Sequence, residues 1–86
     1  MTEDAVSVSY ESTEGERILR LRTSESGVIL TQPAQGYGMV VVRNATDGTE
    51  IERYYALDMA LDHAAEVLGV DPSEIEVPDA AADMGM

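Results

Sequence analysis

Residues 39–68 read MVVVRNATDGTEIERYYALDMALDHAAEVL, and within this stretch the hydrophobic period changes from two to 3.6. Up to Tyr55 the chain alternates in the manner of strands, Met39 to Asn44 and Glu50 to Tyr55, around Thr46-Asp47-Gly48-Thr49. Asp-Gly between apolar runs is a strong hairpin signal, because both central positions of a type I′ turn need positive φ. With Asp47-Gly48 as a two-residue turn, Asn44 is expected opposite Ile51, Arg43 opposite Glu52, Val42 opposite Arg53 and Val41 opposite Tyr54. Arg43 facing Glu52 is a favourable cross-strand charge pair. From Ala56 onward, Leu57, Ala60, Leu61, Ala64 and Leu68 fall on one helical stripe, with Ala65 and Val67 at its margins. Asp58, Asp62 and Glu66 run down the opposite face.

Upstream the pattern is strand throughout. Residues 5–10 put Val6, Val8 and Tyr10 on one side and Ser7 and Ser9 on the other; residues 17–22 put Leu19 and Leu21 on one side and Arg20 and Arg22 on the other. Residues 24–27 read as a hairpin loop in which Gly27 supplies positive φ, followed by a strand over 28–31 and a Gln32–Gly38 connection holding Pro33 and two glycines. Downstream, Gly69 closes the helix in αL geometry, and Asp71-Pro72-Ser73-Glu74 opens one further capped turn that Pro78 ends. The pattern predicts an α+β fold: an antiparallel meander of about five strands with one C-terminal amphipathic helix packed on one face. Residues 1–78 form a single domain, and 79–86 a tail, either disordered or docked through Met84 and Met86.

Composition sets the boundary conditions. Seventeen Asp and Glu stand against five Arg and no Lys, a formal charge of -12 on 86 residues. At ~0.1 M salt the Debye length of ~10 Å lets most of these carboxylates feel one another, whereas at ~1 M it falls to ~3 Å. This charge density therefore suits concentrated salt. It excludes nucleic acid as a partner, since phosphate binding needs a basic face. Arg17, Arg20 and Arg22, the one basic cluster, follow directly on Glu11, Glu14 and Glu16 and are expected to pair internally. With no Cys there is no disulfide or thiolate metal site, the acidic start lacks signal-peptide features, and no apolar run approaches the ~20 residues of a membrane span. A cytoplasmic protein is expected, with no membrane partner and no cofactor.

The run Leu57-Asp58-Met59-Ala60-Leu61-Asp62-His63-Ala64-Ala65-Glu66 and the tail from Pro78 to Met86 resemble a family of small acidic proteins from extremely halophilic archaea whose function is uncharacterised. The resemblance implies a habitat of high salt, the same that the charge implies, and brings no catalytic motif.

His63 is the one side chain that ordinarily titrates near neutrality, and the wheel places it between the acidic face and the apolar stripe. Without a nucleophile at recognisable spacing it reads first as a structural boundary residue. Asp58, Asp62 and Glu66, at i, i+4 and i+8, read as a solvated face and not as a metal site. The uncharged Gln32–Gly38 loop offers Gln32, Gln35 and Tyr37 as hydrogen-bonding groups; with His63 they form a candidate small-ligand site, set against the plainer reading of a loop shaped by its glycines. The remaining candidates lie on the sheet. One side of the last hairpin, Val40, Val42, Ile51 and Tyr55 with Arg53 as the exception, is assigned to the helix. The other, Met39, Val41 and Tyr54 with the Arg43 and Glu52 pair, is an apolar patch rimmed by charge, the pattern of an association site. The sequence thus points to a non-enzymatic homo-oligomer or protein-interaction module, with a small-ligand-binding protein or minor enzyme as the alternative.

Overall fold

The computed structural model describes residues 6–34, 38–45 and 47–84. Five strands, β1 (Ser7–Ser12), β2 (Glu16–Arg22), β3 (Gly27–Pro33), β4 (Val40–Asn44) and β5 (Glu50–Tyr54), precede one helix, α1 (Leu57–Leu68). They form one antiparallel sheet in the order β1-β2-β3-β4-β5, the meander and single helix that the alternating and helical periods predict. The molecule is α+β.

Two hairpins are closed by the same device. After β1, the Thr13 amide donates to the Glu16 carbonyl while its hydroxyl accepts from the amides of Gly15 and Glu16. After β2, the Thr23 amide donates to the Ser26 carbonyl and its hydroxyl accepts from Glu25 and Ser26. A short hydroxyl side chain thus replaces the turn's missing backbone acceptor. Gly27, expected to supply positive φ, is instead the first residue of β3, paired with Arg22. It is small for a different reason: a Cβ there would stand 3.0 Å from the Cβ of Ala45.

The last hairpin departs from its expected register. The Gly48 amide donates to the Asn44 carbonyl and Asn44 to that of Thr49, so the connection spans four residues, with Gly48 at φ 75°. Thr46, part of the expected turn, lies outside the described residues. Val40 faces Tyr54, Val41 faces Arg53, Val42 faces Glu52, and a bulge between Val42 and Arg43 brings Arg43 opposite Glu50 and leaves Ile51 as the extra residue. A shift of one residue exchanges faces. Tyr54 accordingly joins Val40 and Val42 on the helix side, and not Val41, while Ile51 and Tyr55, assigned to the helix, are exposed.

One face of the sheet carries the core: Leu19, Leu21, Val28, Leu30, Val40 and Val42 are inaccessible to solvent, each such side chain stabilising the fold by roughly 1.5–3 kcal/mol. Over it α1 lays Ala60, Ala64, Ala65 and Leu68, packing on β3, β4 and β5; Val67, placed at the stripe's margin, faces outward. The helix stops in a Schellman arrangement, Gly69 at φ 76° donating to Glu66 and Val70 to Ala65. Asp71 and Glu74 form the expected capping box around the 3₁₀ turn Pro72–Glu74.

One helix is too narrow for five strands, and the chain beyond it covers the remainder. Residues 75–84 return as a strap whose Ile75, Ala81 and Met84 enter the same core, with a second 3₁₀ turn at Asp79–Ala81. Arg17, on the core face of β2, fixes the strap. Its guanidinium donates to the Tyr10 hydroxyl (2.9 Å), to the Ala80 carbonyl (2.9 Å) and to the Asp83 carboxylate. That contact holds Asp83 below the usual carboxylate range. Met86, offered as a docking residue, lies outside the described residues.

Candidate functional site

Among the described residues, no helix or strap lies over the other face of the sheet. Because alternate residues point to opposite sides, the burial of Leu19, Leu21, Leu30 and Val42 in the core sends Ile18, Arg20, Arg22, Ile29, Thr31, Val41, Arg43 and Arg53 to this helix-free face. Four of the five arginines therefore share one surface. At one level across the strands the face presents Glu11, Ile18, Thr31, Val41 and Arg53; at the next, Ser9, Arg20, Ile29, Arg43 and Glu50.

The arginines cover the face themselves. Val41 and Thr31 are only 8% and 6% exposed although no helix lies above them. Arg43 reaches across to the Thr31 hydroxyl (3.2 Å) and to the Gly48 carbonyl (3.1 Å), laying its methylene stem over the strands. Arg20 meets Glu11 at 2.9 Å, and Arg53 grips Glu50 through two nitrogens at 2.6 and 3.0 Å. The hydrogen bonds from Arg53 hold Glu50 below the usual carboxylate range.

Formal charge is partitioned by this arrangement. The four arginines of the face stand against Glu11, Glu16 and Glu50, a balance of +1; the other 14 of the 17 carboxylates, with Arg17 alone among them, leave -13 on the rest of the chain. Of the expected association residues, Val41 lies on the helix-free face, Met39 is half-buried just before β4, and Tyr54 belongs to the helix side.

Tyr54 and His63 meet there. The Tyr54 hydroxyl and His63 Nδ1 share a hydrogen bond of 2.7 Å, the rings packed edge to face at 5.7 Å. Desolvation raises the Tyr54 pKa above its ordinary value, and the carboxylates of Glu52 and Glu66 add to it. The pair borders an open groove of about 480 Å³ lined also by Met59, Asp62, Glu66, Val70 and Pro72. Neither Gln32 nor Gly38 lines it; Gln32 turns inward, and its Nε2 donates to the Gly38 carbonyl at 3.1 Å. Gln35 and Tyr37 lie outside the described residues. The groove has a proton-carrying pair but no Ser, Thr or Cys to activate, and among the described residues no three His, Cys, Asp or Glu gather as metal ligands.

Sequence reasoning separated Arg20 and Arg22 from Arg17 by parity alone. It placed Arg43 beside Val41 on the bare face but put Arg53 on the helix side, whereas the bulge sends Arg53 to join the others; it also missed the clamp of Arg17 on the strap, for which no local signal exists. No helix among the described residues is long and apolar enough to cross a membrane. The profile of a family of unknown function (DUF7111) matches residues 1–86. No curated protein and no solved structure matches the chain.

Proposed function

Since the chain belongs to that family of unknown function, we propose that it is a non-enzymatic protein-interaction module of a cytoplasm at molar salt, with the helix-free sheet face as its working surface. The partition of charge carries this reading. With -13 on the rest of the chain and +1 on the sheet face, the face is where another acidic macromolecule approaches against the least repulsion. Its composition fits contact, since arginine is enriched at protein interfaces while lysine and acidic residues are depleted. Half-buried Ile18 and Ile29 lie among the guanidinium stems. The absence of Lys and the excess of carboxylates support the molar-salt setting, where repulsion is screened within ~3 Å.

Affinity capture in molar salt tests the surface. Partners retained by the wild type are expected to be lost with Ile29→Asp and kept with Glu74→Gln, which lies on the capped turn far from the face. Equal capture by all three chains removes the face from consideration. A second reading, a small-ligand site, is favoured by one observation, the groove beside Tyr54 and His63. It would hold its ligand through His63; of the expected loop, neither Gln32 nor Gly38 borders it.

A further inference from the structure

Resting on the reading of the helix-free face as the working surface, we infer that its partner is a second copy of this chain, packed face to face about a two-fold axis that runs along β3. Wherever the acidic remainders of two such chains met, carboxylates would stand at contact distance, where even molar salt leaves part of their repulsion unscreened. Joined through the sheet faces, they bring +1 against +1 and keep the acidic helix, strap and loops on opposite outer sides.

The face is self-complementary in a way that selects this axis. A two-fold along β3 lays β1 of one copy over β5 of the other and β2 over β4. At the level Glu11, Ile18, Thr31, Val41, Arg53, each residue then meets its counterpart from the far end: Glu11 opposes Arg53, Ile18 opposes Val41, and Thr31 opposes itself. Opposite charges close both ends, apolar pairs lie within, and a hydroxyl pair sits on the axis. An axis across the strands instead sets β1 on β1 and β5 on β5, so that Glu11 no longer meets Arg53.

The neighbouring level sets like charges opposite one another, offset by a carboxylate beside each within its own copy, Glu11 for Arg20 and Glu50 for Arg43. Ile29 meets Ile29, while Arg20 lies opposite Arg43, each already held within its own copy, by Glu11 and by Thr31 and Gly48. The geometry tolerates sheet twist. Glu11 and Arg53 stand two strands from the axis, about 10 Å, so the ~30° angle of aligned sheets displaces them by about 5 Å, within the length of an arginine side chain.

Sedimentation equilibrium in about 1 M KCl on four chains tests the inference: wild type, Glu11→Arg, Arg53→Glu and the double variant. Both side chains are more than half exposed, at 52% and 57%, so the substitutions leave the fold in place, and circular dichroism verifies it. The wild type is expected to be dimeric, each single variant to dissociate about tenfold more readily, and the double variant to recover most of that loss. The swap does not rebuild the internal Glu11–Arg20 and Glu50–Arg53 pairs, so recovery reads the contact between copies alone. A monomeric wild type, a dimer indifferent to both single changes, or a double variant no better than the singles overturns the inference. If the wild type is monomeric while Ile29→Asp still strips captured partners, the face remains an interaction surface and only the second copy is wrong; if it is monomeric and capture is unchanged, both fail.

Discussion

Arg17 ties together parts of the fold that are far apart in the chain. Its guanidinium joins β1, through Tyr10, to the strap, through Ala80 and Asp83, and its side chain is 18% exposed. Arg17→Ala removes these bonds and the stem that packs beneath them, and is expected to cost about 1–3 kcal/mol. Urea denaturation measures the loss, and hydrogen exchange should locate it in residues 75–84. An unchanged midpoint would mean the strap is held by Ile75 and Met84 alone. His63 stands differently, since its hydrogen bond to Tyr54 lies at the border of the core. His63→Gln is expected to cost about 1 kcal/mol, as an ordinary boundary change, and to alter no response to added metal. Calorimetric titration of both forms with zinc checks this; tight stoichiometric binding lost in the variant would give His63 a ligand role.

At the scale of elements, the helix ends where Gly69 takes αL geometry. A Cβ meets nothing within 4 Å there, so Gly69→Ala isolates backbone strain from crowding and is expected to destabilise by about 1 kcal/mol. Chemical denaturation at fixed salt reads that figure directly. The same helix shows which features a sequence displays. Its stripe, its terminator and the capping box after it are written in neighbouring residues, and so are the alternations of Val6-Val8-Tyr10 and Leu19-Leu21. The register of β4 on β5 is not. Asp47-Gly48 fits a two-residue turn as well as the last half of a four-residue loop, and only packing distinguishes them: the observed bulge sends Tyr54 to the core and Arg53 outward beside Glu50. That one shift decided whether Tyr54 belongs to the candidate association surface. The strap was legible in part: docking through Met84 was one of two readings of the tail and Met84 does enter the core, whereas Ala81 acquires meaning only against the strands that receive it.

For the whole molecule, the two electrostatic contributions have opposite signs and can be separated with salt. Repulsion among the carboxylates opposes folding at low ionic strength, so the melting temperature is expected to rise markedly between ~0.1 M and ~2 M KCl. A melting temperature flat in salt removes the molar-salt reading. In ~2 M KCl, with repulsion screened, the ion pairs and turn bonds that lower Asp83, Glu50, Asp47 and Asp71 govern the response to pH. Each folded pKa lies below its unfolded value. The stabilisation is therefore present above about pH 4 and lost as pH falls from there through the folded values. Melts from pH 6 to pH 3 in ~2 M KCl should decline over the last unit, and a rise there would mean residual repulsion still dominates.

The bond from Arg17 to Asp83 spans 66 positions, and this gives the fold an order of assembly. The first hairpin is complete in the chain long before the residues that cover it have been made. Until they arrive, Leu19 and Leu21 have an open flank toward β1, and the helix, which packs mainly on β3, β4 and β5, does not close it. Local contacts form early and the distant one last. The hairpin made first is therefore covered by a segment made much later, and a ribosome-bound chain lacking residues 75–84 should present the apolar side of β1 and β2 to chaperones.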